Sequence, residues 1–331
     1  MTGMRKACAC LALLALQALH PPRVEAQVPA WRPDKAVELV VPSAPGGGTD
    51  KTARLIQRIW QERKIVETPV AVVNKPGGAG ALSLAYLRQH AADAHYVQVV
   101  SAVLLTSHIT GSSPLTYTDF TPVALLNSEY VAFAVKADST IRSLKDLSER
   151  LQKDPASVSI AVGTSLGGVN HVAAALVARA ARSDARKLRT VVFKSSAESA
   201  MAGLGGHVDV VVSSASVLLP HVKSGALRLI GVSAPRRLTG PLAGVPTLKE
   251  QGVDAVVDNF RFMIAPPGVN AAQLAYWDAA GARLAQADEW KNDLENNVLE
   301  NTYMMSRDAR KYLDEQYAGL KAALIDAGLA R

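Results

Sequence analysis

Three stretches concentrate glycine and hydroxyl side chains where a β-rich run gives way to a helical pattern: SAPGGGTD (43–50), NKPGGAG (74–80) and GTSLGGVNH (163–171). Glycine lets a backbone approach a ligand closely, and a helix N-terminus offers free N–H groups and the positive end of its dipole. Several such ends in one place, with Ser and Thr hydroxyls added, would bind an anion without many cationic side chains. Taken singly, a Gly-rich turn is also an ordinary connector. A nucleotide fits poorly, because SAPGGGTD lacks the Gly-Lys-Ser/Thr ending of a P-loop and none of the turns reads G-x-G-x-x-G. The segment Gly163 to Gly167 does match G-x-S-x-G, the nucleophile elbow of α/β-hydrolases, with Ser165 as nucleophile. That chemistry needs a later acid and then a histidine. Only Asp209 followed by His221 offers the order, and no histidine follows His221 to the end of the chain. The histidines at 90, 95, 108, 171, 207 and 221 show no metal-binding spacing, so neither a metal nor another cofactor is expected.

The elements that must position these turns alternate. Strands are expected at 37–41, 70–73, 97–101, 130–135, 158–162, 189–193, 208–212, 227–232 and 260–264, separated by helical patterns or loops, with a loop after 101. Ser143 to Asp146 reads as a capping box opening a helix over 144–153, and Thr247 to Glu250 as the cap of another short one. Helices close the chain, with Leu313, Tyr317, Leu320 and Leu324 on one face of the last. Strands alternating with helices indicate an α/β protein with mainly parallel sheets. No Pro/Gly-rich linker cuts the chain in two.

The sequence begins with Arg5 and Lys6, a ten-residue apolar run from Ala7 to Leu16, and Val24-Glu25-Ala26 before Gln27. A basic start, an apolar run too short to span a bilayer, and small residues at the cleavage positions read as a secretory signal peptide over 1–26. Cleavage near Ala26 would remove both cysteines, Cys8 and Cys10, and with them any disulfide or thiolate chemistry. The whole sequence has 331 residues, 49% of them hydrophobic, and a net charge of +7. That apolar fraction excludes wholesale disorder, and the charge is too mild for this length to argue for nucleic acid.

Taken together, the sequence resembles the periplasmic solute receptors of the tripartite tricarboxylate transporters, the Bug receptor family. The resemblance is carried by VELVVPSAPGGGTDKTARLI (37–56), VNKPGGAGALSLAYL (73–87), YTDFTPVALL (117–126), IAVGTSLGGVNH (160–171), LGGHVDVVVSS (204–214), LPHVKSGALRLIGVSAPRR (219–237), GVPTLKEQGVD (244–254) and APPGV (265–269). It implies a type II periplasmic binding fold of two lobes joined by a two-strand hinge. One lobe would use 27–130 and 236–331, the other 131–235. It implies a periplasmic, monomeric receptor that captures a small carboxylate between the lobes and passes it to membrane permease subunits, or to a sensor protein. A serine hydrolase using Ser165 is the alternative of a different class. The ligand-binding residues implied are Ala44, Gly46, Gly47, Gly48 and Thr49 in the first turn, Gly78, Ala79 and Gly80 in the second, and Ser101, Ala102 and Val103 after the third strand. The second lobe would add Thr164, Ser165, His171, Ser195, Ser196 and Ser214, with Asp209 either at the ligand or in a structural turn. Where many members carry Trp-x-Gly, this chain reads Asn259-Phe260-Arg261-Phe262, closer to citrate-type receptors. Arg261 could then fork a ligand carboxylate, giving a citrate-like di- or tricarboxylate as the expected ligand, or pair with an acid between the lobes.

Overall fold

The computed structural model describes residues 31–330 apart from Thr164 and Ala327; the signal peptide expected over 1–26 lies outside the described residues. From Trp31 onward the chain forms one compact unit built on two sheets. Its first half comprises β1 (Val37–Val41), α1 (Gly48–Glu62), β2 (Val70–Asn74), α2 (Ala81–Gln89), β3 (Tyr96–Ser101), α3 (Val103–Ile109), β4 (Thr121–Asn127), β5 (Val131–Lys136) and α4 (Leu144–Lys153). Then come β6 (Ser159–Gly163), α5 (Val169–Ala180), β7 (Arg189–Phe193), α6 (Ser196–Leu204), β8 (Val210–Ser214), α7 (Ala215–Lys223) and β9 (Leu227–Val232). β10 (Arg261–Ala265), α8 (Ala271–Gln286), α9 (Asp288–Asn296), β11 (Met304–Met305) and α10 (Ser306–Asp326) complete it.

One sheet has the order β11-β4-β10-β3-β1-β2, the other β7-β6-β8-β5-β9. β1, β2 and β3 are parallel to one another, as are β6, β7 and β8. In each sheet the remaining pairings are antiparallel, so the sheets are mixed rather than mainly parallel. The reason is the chain path: β10 takes up the chain returning to the first sheet and β5 the chain arriving at the second, and each runs against the βα strands beside it, β3 and β8.

Local chemistry explains most element boundaries. Helix α1 buries Ala53, Ile56, Ile59 and Trp60 while Lys51, Arg54 and Arg58 stay exposed, an apolar stripe at helical spacing. Trp60 stacks on Trp277 of α8 at 5.3 Å between ring centroids, and Trp277 donates its indole N–H to Ala94 O, so α8 is fixed to the first sheet. Ser143 caps α4 by accepting from Asp146 N, while Thr247 and Glu250 exchange both bonds of their box. Two expectations fail. The segment after β3 forms α3 instead of a loop, and β4 was not anticipated because Pro122 marks its sequence as a poor strand. Pro122 lies opposite Ile264, beside a register shift that accommodates it.

The chain passes between the sheets at Ser128–Tyr130 and returns through the segment ending at Phe260. These two crossings run side by side: Tyr130 bridges Asp258, and Asn259 N donates to Glu129 O at 2.6 Å. Asp258 knots them together, accepting from Ser128 Oγ at 2.6 Å, Glu129 N at 3.2 Å and Tyr312 OH at 3.0 Å. Burial pushes its carboxyl up to about 6 against the pull of Ser128, Tyr312, Glu129 N–H and Arg261. A carboxyl whose folded value lies above its unfolded one holds its proton in the folded state after the unfolded chain has lost it. Stability therefore declines as pH rises from about 4 to about 6, by at most about 3 kcal/mol. Asp258→Asn removes that titration. The stability of the native protein minus that of Asp258→Asn should fall between pH 4 and pH 7 in urea melts, and a pH-independent difference would contradict this account of Asp258.

Candidate functional site

The Gly/Ser/Thr-rich junctions meet where the two lobes face each other. Gly47 and Gly48 open α1, Ser101 and Val103 flank the start of α3, Asn170 lies in the first turn of α5, Ser195 and Ser196 open α6, and Ser214 precedes α7. Residues from all five helix starts line one narrow cleft of about 30 Å³, floored by Asn259 and Arg261. It adjoins a wider cavity of about 340 Å³ that shares Ser43, Thr49, Ser101 and Val103 and is walled by Gly77–Gly80 and Lys194. No residue lining either space is acidic. Asp50 and Glu198 stand in the first turns of α1 and α6 and offset part of the dipole there, but with no acidic lining residue the N–H and hydroxyl groups of the five helix starts still favour an anion.

The first two turns are built as one piece, and the residue responsible was not among the expected ligand contacts. Asp50 is 1% exposed and accepts Gly46 N at 2.9 Å, Asn74 Nδ2 at 2.9 Å and Arg54 Nε at 3.0 Å. Burial raises its carboxyl, but Arg54, the Gly46 N–H and Asn74 together outweigh burial and hold it below the ordinary carboxylate range. Asn74 also donates to Ser43 O, and Ser43 and Thr49 share a hydroxyl contact of 2.7 Å. The acid of SAPGGGTD and the asparagine of NKPGGAG are thus one linkage, visible beforehand only as two separate motifs. In the second turn Gly77, Gly78, Ala79 and Gly80 all have positive φ. Ala79 accepts this strain while Ser107 Oγ holds its carbonyl at 2.9 Å.

In the second lobe, a Cβ on Gly163 would lie 2.7 Å from Ser196 N and 2.8 Å from Ser196 Cα, so glycine is what lets the α6 start close against β6. Ser195 caps that helix by accepting from Glu198 N. A Cβ on Gly167 would meet Thr110 Cγ2 at 2.6 Å, which shows how closely the lobes approach at this point.

Of the expected contacts, Gly47, Gly48, Thr49, Ser101, Val103, Ser195, Ser196, Ser214 and Arg261 line the narrow cleft, and Gly78, Ala79 and Gly80 line the adjoining cavity. Ala44, Gly46 and Ala102 belong to the same turns without lining either space, and Thr164 lies outside the described residues. The open alternative for Asp209 falls on the structural side, and the expectation for His171 needs correction. Asp209 sits before β8, at the far end of the strand from Ser214, and its carboxylate accepts from Ser159 N at 2.8 Å and Ser159 Oγ at 2.5 Å. It ties the starts of β6 and β8 together and does not reach the cleft. His171 lines a different cavity, with Thr110 and Leu188. Its Nδ1 accepts from Gly167 N at 2.9 Å, and burial lowers its pKa, so the ring is a neutral brace for the turn. Sequence reasoning missed Ser43, Asn170 and Asn259 in the narrow cleft and Lys194 in the wider cavity.

Arg261 is 3% exposed and already partnered. Its guanidinium pairs with Glu129, 1% exposed, and donates to the carbonyl of Asn259, while Ser216 Oγ donates to the same Glu129. The interlobe pair with an acid, one of the two alternatives for Arg261, is the arrangement present. The hydrolase alternative finds no triad. Ser165 Oγ is buried without a hydrogen-bond partner among the described residues, Asp209 is committed to Ser159, and no histidine reaches Ser165. Among the described residues no group of three or more His, Cys, Asp or Glu could hold a metal, and no helix is long and apolar enough to cross a membrane.

The family described as "Tripartite tricarboxylate transporter family receptor" matches residues 53–329. The chain belongs to this family. It is accordingly a substrate-binding receptor and not an enzyme. A "UPF0065 protein in gbd 5'region" of Cupriavidus necator is 26% identical over 330 residues, covering 99% of this chain and 96% of that protein. Protein BugT of Bordetella pertussis is 26% identical, covering 71% of each chain. Among solved structures, an R. palustris protein with adipate superposes with a TM-score of 0.83 at 22% identity, covering 90% of this chain and 99% of that one. MatC from Rhodopseudomonas palustris with bound malate gives 0.79 at 22% identity, covering 88% and 99%. At that identity these structures speak to the fold, a two-lobed periplasmic binding architecture.

The close approach at Gly163 yields a direct test of the site's construction. Gly163→Ala should destabilise the receptor by about 1–3 kcal/mol, because backbone rather than a side-chain tip must move. It should also weaken ligand binding by displacing Ser195 and Ser196. Gly244→Ala, with nothing within 4 Å of the added Cβ, is the control and should leave both unchanged in thermal melts and titrations.

Proposed function

We propose that this receptor captures a small carboxylate of one or two carboxyl groups between its lobes in the periplasm, after removal of the 1–26 leader, and delivers it to the membrane permease of a tripartite tricarboxylate transporter. The observation that carries the reading is the convergence of five helix N-termini and their hydroxyls on a cleft with no acidic lining residue. A carboxylate oxygen accepts several N–H and O–H bonds at once and gains from the dipole ends. The buried Oδ1 atoms of Asn170 and Asn259 have no partner among the described residues, and a hydroxyl on the acid, or a bridging water, would satisfy them.

The charge balance favours a smaller acid than citrate. The expectation of citrate rested on the likeness of the Asn259–Phe262 stretch to citrate-type receptors, with Arg261 able to fork a ligand carboxylate, but Glu129 pairs with that guanidinium. Among the described residues, Lys194 at the wider cavity is then the one cation lining the ligand space without a salt-bridge partner. A dicarboxylate can place one end on the helix starts and the other toward Lys194. A tricarboxylate would leave charge unbalanced. The malate and adipate bound in the two similar solved structures are dicarboxylates, which agrees with this choice.

A thermal-shift panel of monocarboxylates, dicarboxylates, citrate and the matching neutral amides tests the reading. A ligand at 100 times its Kd stabilises by about 2.7 kcal/mol. One or more mono- or dicarboxylates should raise the melting temperature, while their diamides should not. A response to citrate alone, or to the amides as strongly as to the acids, would overturn it. Lys194→Ala should weaken the best dicarboxylate by about 1 kcal/mol or less, as expected for an exposed ion pair, and leave its monocarboxylate counterpart unchanged in calorimetry.

A further inference from the structure

The floor of the cleft is also the wall of a second cavity, about 420 Å³, bounded by α1, the end of α9, the hinge and the start of α7. Lys51, Arg54 and Arg58 project from successive turns of α1 along its wall, and Arg261 reaches it from the cleft side. Against these four cations stand two acidic residues, Glu129 and Asp293. Glu129 is spent on Arg261, and Arg54 is bound to Asp50. Lys51 and Arg58 have no salt-bridge partner among the described residues; both act on Asp293 only at longer range, and its carboxyl is raised because burial outweighs Asn297, Arg58 and Lys51. Leu55 and Leu299 supply apolar wall.

At the base sits Asn127, 1% exposed and paired in register with Arg261 across β4 and β10. Both its Oδ1 and its Nδ2 are buried without a hydrogen-bond partner among the described residues, as is the Nε of Arg261. A buried amide with neither end bonded is costly, and its place in the wall of a cationic cavity of ligand size makes the cost intelligible as a binding group.

We propose that this cavity is a second ligand site, for a small organic anion with an apolar body, held by Lys51 and Arg58 near the mouth, by Asn127 at the base and by Leu55 and Leu299 along its body. Ser216 reaches the same cavity from the second lobe, so an anion there touches both lobes and strengthens their shut arrangement. By linkage it then tightens binding in the cleft. The residues that would hold this anion are the same whichever acid the cleft binds.

Phthalate is a suitable probe, and amide NMR of the nitrogen-labelled protein locates it. Phthalate should shift the amides of Leu55, Arg58, Asn127 and Leu299, and the exposed double charge reversal Lys51→Glu/Arg58→Glu should weaken that response by about tenfold or more. The melting temperature of that variant without phthalate should match the native protein. Inorganic phosphate should shift the same amides far less. Absence of shifts at these four positions, an unchanged affinity in the charge-reversed protein, or an equal response to phosphate would each overturn the proposal. Amides of Ser195, Ser196 and Ser214 report the cleft separately, so failure here and failure of the carboxylate reading there are distinguishable.

Discussion

The ion pair between Glu129 and Arg261 lies where the two chain crossings between the lobes run side by side, with both residues at most 3% exposed. Much of the receptor's architecture follows from that placement. Two charges buried together are tolerable only with good geometry and further hydrogen bonds, and removing one partner of such a pair costs about 3–5 kcal/mol. Ser216, from the second lobe, supplies a further bond to Glu129, and the carbonyl of Asn259 supplies one to Arg261. The pair therefore ties the first crossing, the second crossing and the start of α7 in a single contact. It also divides the interior into a cleft on one side and a cationic cavity on the other, since Arg261 lines both.

Neutralising Arg261 decides the character of the cleft. With that charge cancelled, anion attraction comes from helix ends and hydroxyls, which are directional and modest, plus Lys194 at the wider cavity. On the proposed reading, such a site discriminates both by total charge, which favours one or two carboxylates, and by where it places N–H and O–H groups. The first-lobe part of this arrangement is rigid by construction. Asp50 and Asn74 lock two turns together, and Ser107 fixes the carbonyl of Ala79 in a left-handed backbone. The second-lobe part depends on a glycine at 163, which lets the Ser195–Ser196 turn approach within backbone contact. Because each lobe contributes to the cleft, the full set of donors exists only when the lobes are together.

Much of this was legible in the sequence. The βα alternation, the capping boxes and the glycine turns are local features, and the residues of SAPGGGTD and NKPGGAG fall where their pattern places them. The rest depends on contacts between residues far apart in the chain. Nothing local shows that Asp50 will bond Asn74, or that Glu129 will meet Arg261 from more than a hundred residues away. Asp209 and His171 stood as ligand candidates through the family resemblance, Asp209 with a structural turn as its alternative. Asp209 instead stands at the opening of its strand rather than its close, and His171 turns back on its own loop. Strand β4 was hidden by Pro122, which a register shift accommodates.

The most direct test of the central claim is a crystal structure of the receptor with the tightest-binding dicarboxylate. The account predicts one carboxylate within hydrogen-bond distance of the Gly47–Thr49 backbone N–H groups and of Ser195 or Ser196, with the Glu129–Arg261 pair intact beneath it. A ligand carboxylate forked by Arg261 with Glu129 displaced, or a ligand seated away from the helix starts, would contradict it.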